Sequence, residues 1–172
     1  MDAELQEYRE YLIEKHNAEF PKFAKDAVHT APILALLQDP GKSGAEDSKV
    51  CSIENNDQTS RNQRMAIDNS GIDTADIVFW NFYAPFGMDK KFPIESTKKW
   101  AKEIEKLIGV MPKLKVVLAC GIEAQKGMKF VERDKDITLI KSPHPSYLSF
   151  LHTGNKDKLN NAWKQAAGEI IK

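Results

Sequence analysis

Four short apolar runs constrain the fold of this chain more than any other feature. They occupy residues 33–37, 77–80, 116–119 and 137–141. Runs of this length without strict alternation are typical of strands that are buried on both faces, as in a parallel sheet. Helical patterns separate the four runs. The sequence therefore predicts an α/β fold with three layers, α/β/α, around a central four-stranded parallel sheet.

Apolar residues at helical spacing predict the helices of this fold. The opening helix covers about residues 2–17, and a later helix covers 96–109. Asp57 is expected to cap a helix that runs to about Asn69. Residues 42–57 are polar and are expected to be irregular. The closing helix carries an apolar face formed by Leu159, Trp163, Ala166, Ala167 and Ile170.

Length and charge narrow the class of protein. A chain of 172 residues predicts a single domain over residues 1–172, and 25 basic residues balance 25 acidic ones. Zero net charge gives no global attraction to nucleic acid, so such binding must come from local patches. Cys51 and Cys120 have no metal-ligand spacing and are expected to be reduced thiols. With an acidic start and no long apolar stretch, we expect a cytoplasmic protein that binds no membrane.

An acid, an amide and an imidazole come directly after three of the predicted strands. Asp39 follows the first strand, Asn81 the second and His144 the fourth. In open α/β sheets, sites form at the carboxyl ends of the strands. Pro143 and Pro145 fix the backbone around His144, so this side chain is held on a rigid loop. We therefore expect the three groups to converge on one site.

These groups suit cleavage of an N-glycosidic bond, which develops positive charge on the sugar and negative charge on the departing base. The Asp39 carboxylate could stabilise the cation and activate water, and His144 could stabilise the leaving anion. The Asn81 amide donates and accepts, so it could read the edge of a flipped base. Ser146 could hold a phosphate, and Leu148 could fill the space that a flipped base leaves.

The motifs resemble those of the uracil-DNA glycosylase superfamily. Residues 142–150, SPHPSYLSF, are similar to its His-Pro-Ser-x-Leu-Ser motif, and residues 34–41, LALLQDPG, to its first motif. Trp80-Asn81 resembles the position of the base-reading asparagine, and VVLACG at 116–121 resembles the third strand and its turn. The resemblance covers roughly residues 31–150. It implies the same α/β/α fold and a DNA glycosylase of base excision repair that hydrolyses the N-glycosidic bond of uracil or a related deaminated base in DNA.

The resemblance also implies a role for each site residue. Asp39 activates water and His144 stabilises the uracil anion. Asn81 reads the base, and Gln38 and Gly41 contribute to the base pocket. The implied reaction uses no metal and no cofactor. The implied partner is DNA containing a damaged or deaminated base, without an obligate protein partner.

Two further positions are implied to contact DNA. Ser146 would grip the DNA backbone beside the lesion, and Leu148 would enter the base stack. Tyr147 stands where the motif commonly has proline. Lys90-Lys91 and Lys98-Lys99 either form a solvated face or contact phosphates.

The chain departs from the family pattern in its expected base pocket. Gly41 stands where one branch has a tyrosine that excludes thymine, so strict uracil selectivity is not implied. The family stacks an aromatic residue on the base, but residues 50–53 read VCSI. Phe82, Tyr83 or Phe86 could supply that face instead.

Two other readings stay open. The chain could be a noncatalytic member of the superfamily that binds a base or a nucleic acid. It could also hydrolyse free nucleosides or nucleotides, which would need no wedge. Leu148 separates these readings, because exposure beside a pocket favours duplex DNA whereas burial in the core favours a small substrate.

Overall fold

The computed structural model describes residues 2–171, which contain six α-helices and six strands. The helices are α1 (Ala3–His16), α2 (Gln58–Ser70), α3 (Ile94–Gly109), α4 (Ile122–Met128), α5 (Tyr147–Phe150) and α6 (Asn155–Ile171). The strands are β1 (Lys22–Phe23), β2 (Ile33–Leu37), β3 (Val50–Cys51), β4 (Ile77–Asn81), β5 (Val116–Cys120) and β6 (Thr138–Ser142). None of these helices is both long enough and apolar enough to cross a membrane.

Four of the strands form one parallel sheet in the order β4-β2-β5-β6. The prediction of an α/β fold with four parallel strands is therefore confirmed. Each strand lies within one residue of its predicted bounds. At the carboxyl end of the sheet, Leu37 is in register with Asn81, and Cys120 with Ser142. The ends of these strands consequently meet at one edge, where the polar residues follow.

The strands are buried on both faces, which explains why their sequences do not alternate. Every residue of β4 and of β5 is buried. In the helical layers, α2 packs against α6, and α3 packs against α1 and α4. One helix from each group, α4 and α6, also contacts β5. Apolar residues of both groups thus cover the strands.

The helix predictions hold, and their ends follow from the predicted capping residues. The Asp57 carboxylate accepts a hydrogen bond from the Ser60 backbone N–H at 3.0 Å and begins α2. Gly71 ends α2 with a left-handed φ of 75°, a conformation that glycine adopts without a Cβ clash. Both cysteines, Cys51 and Cys120, are buried free thiols as expected.

Residues 42–57 are more ordered than their polar composition indicated. They contain a π-helical turn at Lys42–Glu46 and the short strand β3, which pairs in parallel with β1. A Cβ on Gly44 would lie 2.7 Å from Asp57 Oδ2, so this glycine lets the turn pack against the cap of α2. The prediction of an irregular segment was wrong, because long-range pairing organises it.

Candidate functional site

A pocket of about 570 Å³ lies at the carboxyl edge of the sheet. Its volume falls in the range of small-ligand sites. Six of the seven residues that the sequence assigns to a site line this pocket, namely Asp39, Gly41, Asn81, His144, Ser146 and Leu148. The seventh, Gln38, does not line it and instead contacts Asp39.

Both oxygens of Asp39 have a partner, although the side chain is only 13% exposed. The Gln38 side-chain amide donates to Oδ1 at 2.7 Å. Lys90 Nζ lies 3.1 Å from Oδ2, and its own side chain is 64% exposed. Each carboxylate oxygen accepts about two hydrogen bonds, so Asp39 keeps room for a water molecule. Gln38 thus orients the carboxylate rather than contacting a base.

His144 is held in one neutral tautomer. The backbone N–H of Ser146 donates to His144 Nδ1 at 3.2 Å, so in the neutral ring the proton is on Nε2. Burial lowers the pKa of His144, the charge of Asp39 raises it, and the charge of Lys90 lowers it, with a net result below the ordinary value. At neutral pH the imidazole is therefore uncharged and can donate a hydrogen bond from Nε2.

Two contacts fix the loop that carries His144. Gly121, which follows β5, has a φ of 88°, and a Cβ on it would lie 3.0 Å from His144 Cβ. Behind the loop, the buried Asn62 side chain of α2 donates to the Pro145 carbonyl at 2.7 Å. The His144 side chain is thus packed on bare backbone from one side, and its loop is tied to α2 by a hydrogen bond.

Asn81 is 3% exposed and ends β4 inside the pocket. Its amide nitrogen contacts Cys51 Sγ at 3.6 Å, a weak acceptor. Its amide oxygen has no hydrogen-bond partner within residues 2–171. This oxygen is not fully enclosed by the protein and is open to the pocket. Asn81 is therefore suited to pair with a ligand that has both a donor and an acceptor.

None of the three aromatic residues expected to stack on a base lines the pocket. Phe82 and Tyr83 are completely buried, and Tyr83 stacks on Phe92 with ring centroids 3.9 Å apart. Phe86 is half-buried beneath the Lys49 ammonium. The pocket instead contains Phe79, which lies two residues before Asn81 on the same side of β4. The expectation that one of them faces the base pocket was wrong, because the core buries Phe82 and Tyr83, and Phe86 lies outside the lining of the pocket.

Exposed apolar side chains border the mouth of the pocket. Leu148 is 71% exposed and Tyr147 is 62% exposed, and both line the pocket at the start of α5. The Ser146 hydroxyl accepts from the Ser149 N–H at 3.3 Å, so it caps this helical turn. Exposure of large apolar side chains next to a pocket is typical of a binding surface.

The wall opposite β4 comes from the start of α2 and is polar. Asn55 donates to the Val50 carbonyl, and Gln63 bonds Trp163 Nε1 and Cys120 Sγ, so these side chains are committed to the fold. At the rim, the exposed Arg61 guanidinium contacts Asn56 and Gln58 and keeps further donors free. Lys42 also lines the pocket. Lys42 and Arg61 are thus two cations in a lining that also contains the acids Asp39 and Asp57.

Sequence reasoning missed three residues of this site. Phe79 was assigned to a strand, but a run buried on both faces does not reveal which side faces a pocket. Arg61 lies on α2 without any motif signal. Lys90 was expected either to lie on a solvated face or to contact phosphates, and only the structure joins it to Asp39. Within residues 2–171, no three His, Cys, Asp or Glu side chains come together as a metal site would require.

No protein-family model matches the chain, and no curated protein matches it with significant sequence similarity.

Proposed function

We propose that this protein is a DNA glycosylase of the uracil-DNA glycosylase superfamily. It hydrolyses the N-glycosidic bond of uracil or a related deaminated base in DNA. The observation that carries the proposal is that Asp39, Asn81 and His144, from three separate strand ends, line a single pocket. An acid, an amide and a neutral imidazole are the groups that this reaction needs.

The proposed reaction is one displacement by water. The bond between the sugar C1′ and the base nitrogen breaks, and its electron pair leaves with the base. Asp39 stabilises the positive charge that develops on the sugar. It also accepts the proton of the water whose oxygen bonds to C1′. His144 donates a hydrogen bond from Nε2 to the base anion.

The charge state of His144 supports its role as a donor. Burial is the main cause that lowers the pKa of His144, and the Ser146 N–H occupies Nδ1. A neutral donor can stabilise an anion without first losing a proton to Asp39. The imidazole therefore acts by hydrogen bonding, and the base leaves as an anion that solvent protonates later.

Asn81 gives the pocket its means of reading a base. The amide presents one donor face and one acceptor face in a buried setting, and a base with a neighbouring carbonyl and N–H satisfies both. Deamination creates that pair of groups on cytosine and adenine, and on guanine it adds a second carbonyl beside the N1–H. Gly41 lines the pocket without narrowing it, since it is exposed and nothing lies within 4 Å of the position of its Cβ. The proposed substrates therefore include bases larger than uracil.

DNA rather than a free nucleoside is the proposed substrate because of the pocket mouth. A base must leave the helix to enter such a pocket, and an apolar wedge can fill the gap. Leu148 and Tyr147 are large, exposed and adjacent to the pocket. Lys42 and Arg61 at the rim are suited to the flanking phosphates. A small-molecule hydrolase would have no use for such an exposed apolar turn.

An alkali-cleavage assay tests the proposal. Oligonucleotides with one uracil, hypoxanthine, xanthine or mismatched thymine are incubated with the protein in single- and double-stranded form, and abasic sites are then cleaved. Strand breaks with at least one substrate are expected, and none with an undamaged control. Parallel chromatography of free deoxyuridine and deoxyinosine tests the small-substrate alternative.

The outcomes separate the three readings. Cleavage of the nucleosides alone would replace the proposal by a nucleoside hydrolase. Binding of the damaged oligonucleotides without release of any base would identify a noncatalytic binder. If the protein neither cleaves any substrate nor binds one selectively, all three readings are overturned.

A further inference from the structure

We infer that Lys90 is a positioning residue of this site, which through its ion pair with Asp39 holds that side chain beside the pocket and opposes its charge at His144. The inference rests on the proposed function, in which Asp39 acts as the base and His144 as a neutral hydrogen-bond donor. It assigns a role to a residue that belongs to none of the sequence motifs.

The ion pair differs from the short-range lysine pairs of this protein. Lys98, Lys102 and Lys126 each pair with a glutamate three residues away on the same helix, whereas Lys15 pairs at long range with Glu103, far from the pocket. Lys90, in the loop between β4 and α3, instead reaches a carboxylate at the end of β2 that is only 13% exposed. Charge pairs that are partly removed from water are screened less than surface pairs. The Lys90–Asp39 pair therefore influences the electrostatic potential inside the pocket.

A second charge matters because the Asp39 carboxylate favours the protonated form of His144, whereas the proposed mechanism uses the neutral form. A carboxylate near an imidazole favours the protonated ring, and Asp39 indeed raises the pKa of His144. Burial lowers that pKa most, and the Lys90 ammonium lowers it further. Lys90 offsets part of the effect of Asp39 without touching the ring or the floor of the pocket.

Other charged side chains line the same pocket and have to be considered as influences on His144. These are Lys42, Asp57 and Arg61. Asp57 is occupied as the cap of α2, where it bonds Ser60, and Arg61 bonds Asn56 and Gln58. Among the described residues, only Asp39 and Lys90 act as charges on the pKa of His144. A change at Lys90 should therefore be visible at His144.

A histidine titration by NMR tests the inference without any need for activity. The chain has four histidines, and the pKa of His144 is measured in the free protein and in Lys90→Met. We expect a higher pKa in Lys90→Met and restoration in Lys90→Arg. Lys91→Met is the matched control, because Lys91 is exposed and has no ion pair within residues 2–171. An unchanged pKa in Lys90→Met, or an equal change in Lys91→Met, would overturn the inference.

Single-turnover rates on a damaged oligonucleotide give the second readout. Protonation of Nδ1 would break the hydrogen bond from the Ser146 N–H that orients the ring, so the rate should fall as pH drops through the pKa of His144. In Lys90→Met this fall should begin at higher pH, with a loss of about twofold to fivefold at about pH 5.5 and little loss at about pH 8. An equal loss at both pH values, accompanied by weaker and less salt-dependent binding, would mean a phosphate contact and would also overturn the inference. If the unaltered protein releases no base, the proposed function fails, while the NMR titration still decides whether Lys90 controls His144.

Discussion

Gly121 and His144 lie closer together than any residue with a side chain at position 121 would allow. A Cβ on Gly121 would stand 3.0 Å from His144 Cβ and 3.2 Å from His144 Cδ2. The backbone of Gly121 also has a φ of 88°, which side chains rarely permit. The turn after β5 is therefore shaped to receive the imidazole.

Gly121→Ala should displace His144 and lower the rate of base release. A misplacement of about 1 Å can cost roughly 100-fold, so we expect a loss of at least about tenfold in single-turnover rate. Gly168→Ala is the control, since Gly168 is exposed in α6 with nothing near its Cβ position. Equal rates for Gly121→Ala and the unaltered protein would show that the contact does not position His144.

Asp39→Asn and His144→Ala should each reduce base release by about 100- to 10,000-fold, the range of general acid–base contributions. Each change removes a group that meets developing charge. The measurement is the single-turnover rate on the best oligonucleotide substrate. Thermal unfolding of each variant shows whether the fold is kept. A well-folded variant with an unchanged rate would remove that residue from the mechanism.

Asp39→Asn should also move the pKa of His144 downward, opposite to the effect of Lys90→Met. Asp39 raises that pKa, so loss of the carboxylate removes a charge that favours the protonated ring. The imidazole of the variant should remain neutral to lower pH in an NMR titration. A rise would mean that the Lys90 ammonium leaves the pocket when Asp39 is neutralised.

Leu148→Ala should impair release from duplex DNA more than from single strands. In a single strand no base pair has to open before the base enters the pocket. A side chain that fills the space left by the flipped base therefore helps only in the duplex. We expect a duplex loss of about tenfold or more and a single-strand change below about threefold. Leu151→Ala is the control, because Leu151 is similarly exposed on the next turn but does not line the pocket. Equal losses on both substrates would argue against a wedge.

Glu103 should make stability depend on pH at the interface of α1 and α3. Burial alone would raise the pKa of this carboxyl, but hydrogen bonds from Lys15, Tyr11 and His16 outweigh it, and the pKa lies below its ordinary value. The stabilisation is therefore full above the unfolded-state pKa, and it is lost as pH falls through the folded-state value.

Glu103→Gln should lower the free energy of unfolding at pH 7 by about 1.5–3 kcal/mol, the range for hydrogen bonds to charged groups. It should also flatten the decline in stability on acidification. Glu95→Gln is the control on the same helix, with a side chain that is 84% exposed. Urea unfolding at several pH values measures both. Parallel pH curves for Glu103→Gln and the unaltered protein would contradict the assignment.

The sheet could be predicted because its strands are short apolar runs with polar residues at their ends. The uniformly apolar character of these runs also prevented part of the site from being predicted. In β4 every residue is buried, so the sequence does not distinguish Phe79, which lines the pocket, from Val78, which does not. The strands β1 and β3 have two residues each and depend on pairing between Lys22 and Val50. No local pattern encodes such a contact.

The catalytic candidates could be predicted, but their electrostatic setting could not. Asp39 and His144 follow strands, and strand ends converge by topology. The partner of Asp39 is a lysine on an irregular loop, and its contact with Asp39 depends on how that loop packs. The tautomer of His144 likewise depends on a single N–H of Ser146, which the motif contains but does not orient.

The strand order sets the distances between the three groups that line the pocket. Asn81 ends β4, Asp39 follows the neighbouring β2, and His144 follows β6, with β5 between the last two. Neighbouring strands lie about 4.8 Å apart, so the strands of Asn81 and His144 are about 14 Å apart. Backbone hydrogen bonds maintain that spacing. Substitutions in the core away from the pocket can therefore change thermal stability without changing the width of the site, which depends on the loops and on strand residues such as Phe79 that line the pocket.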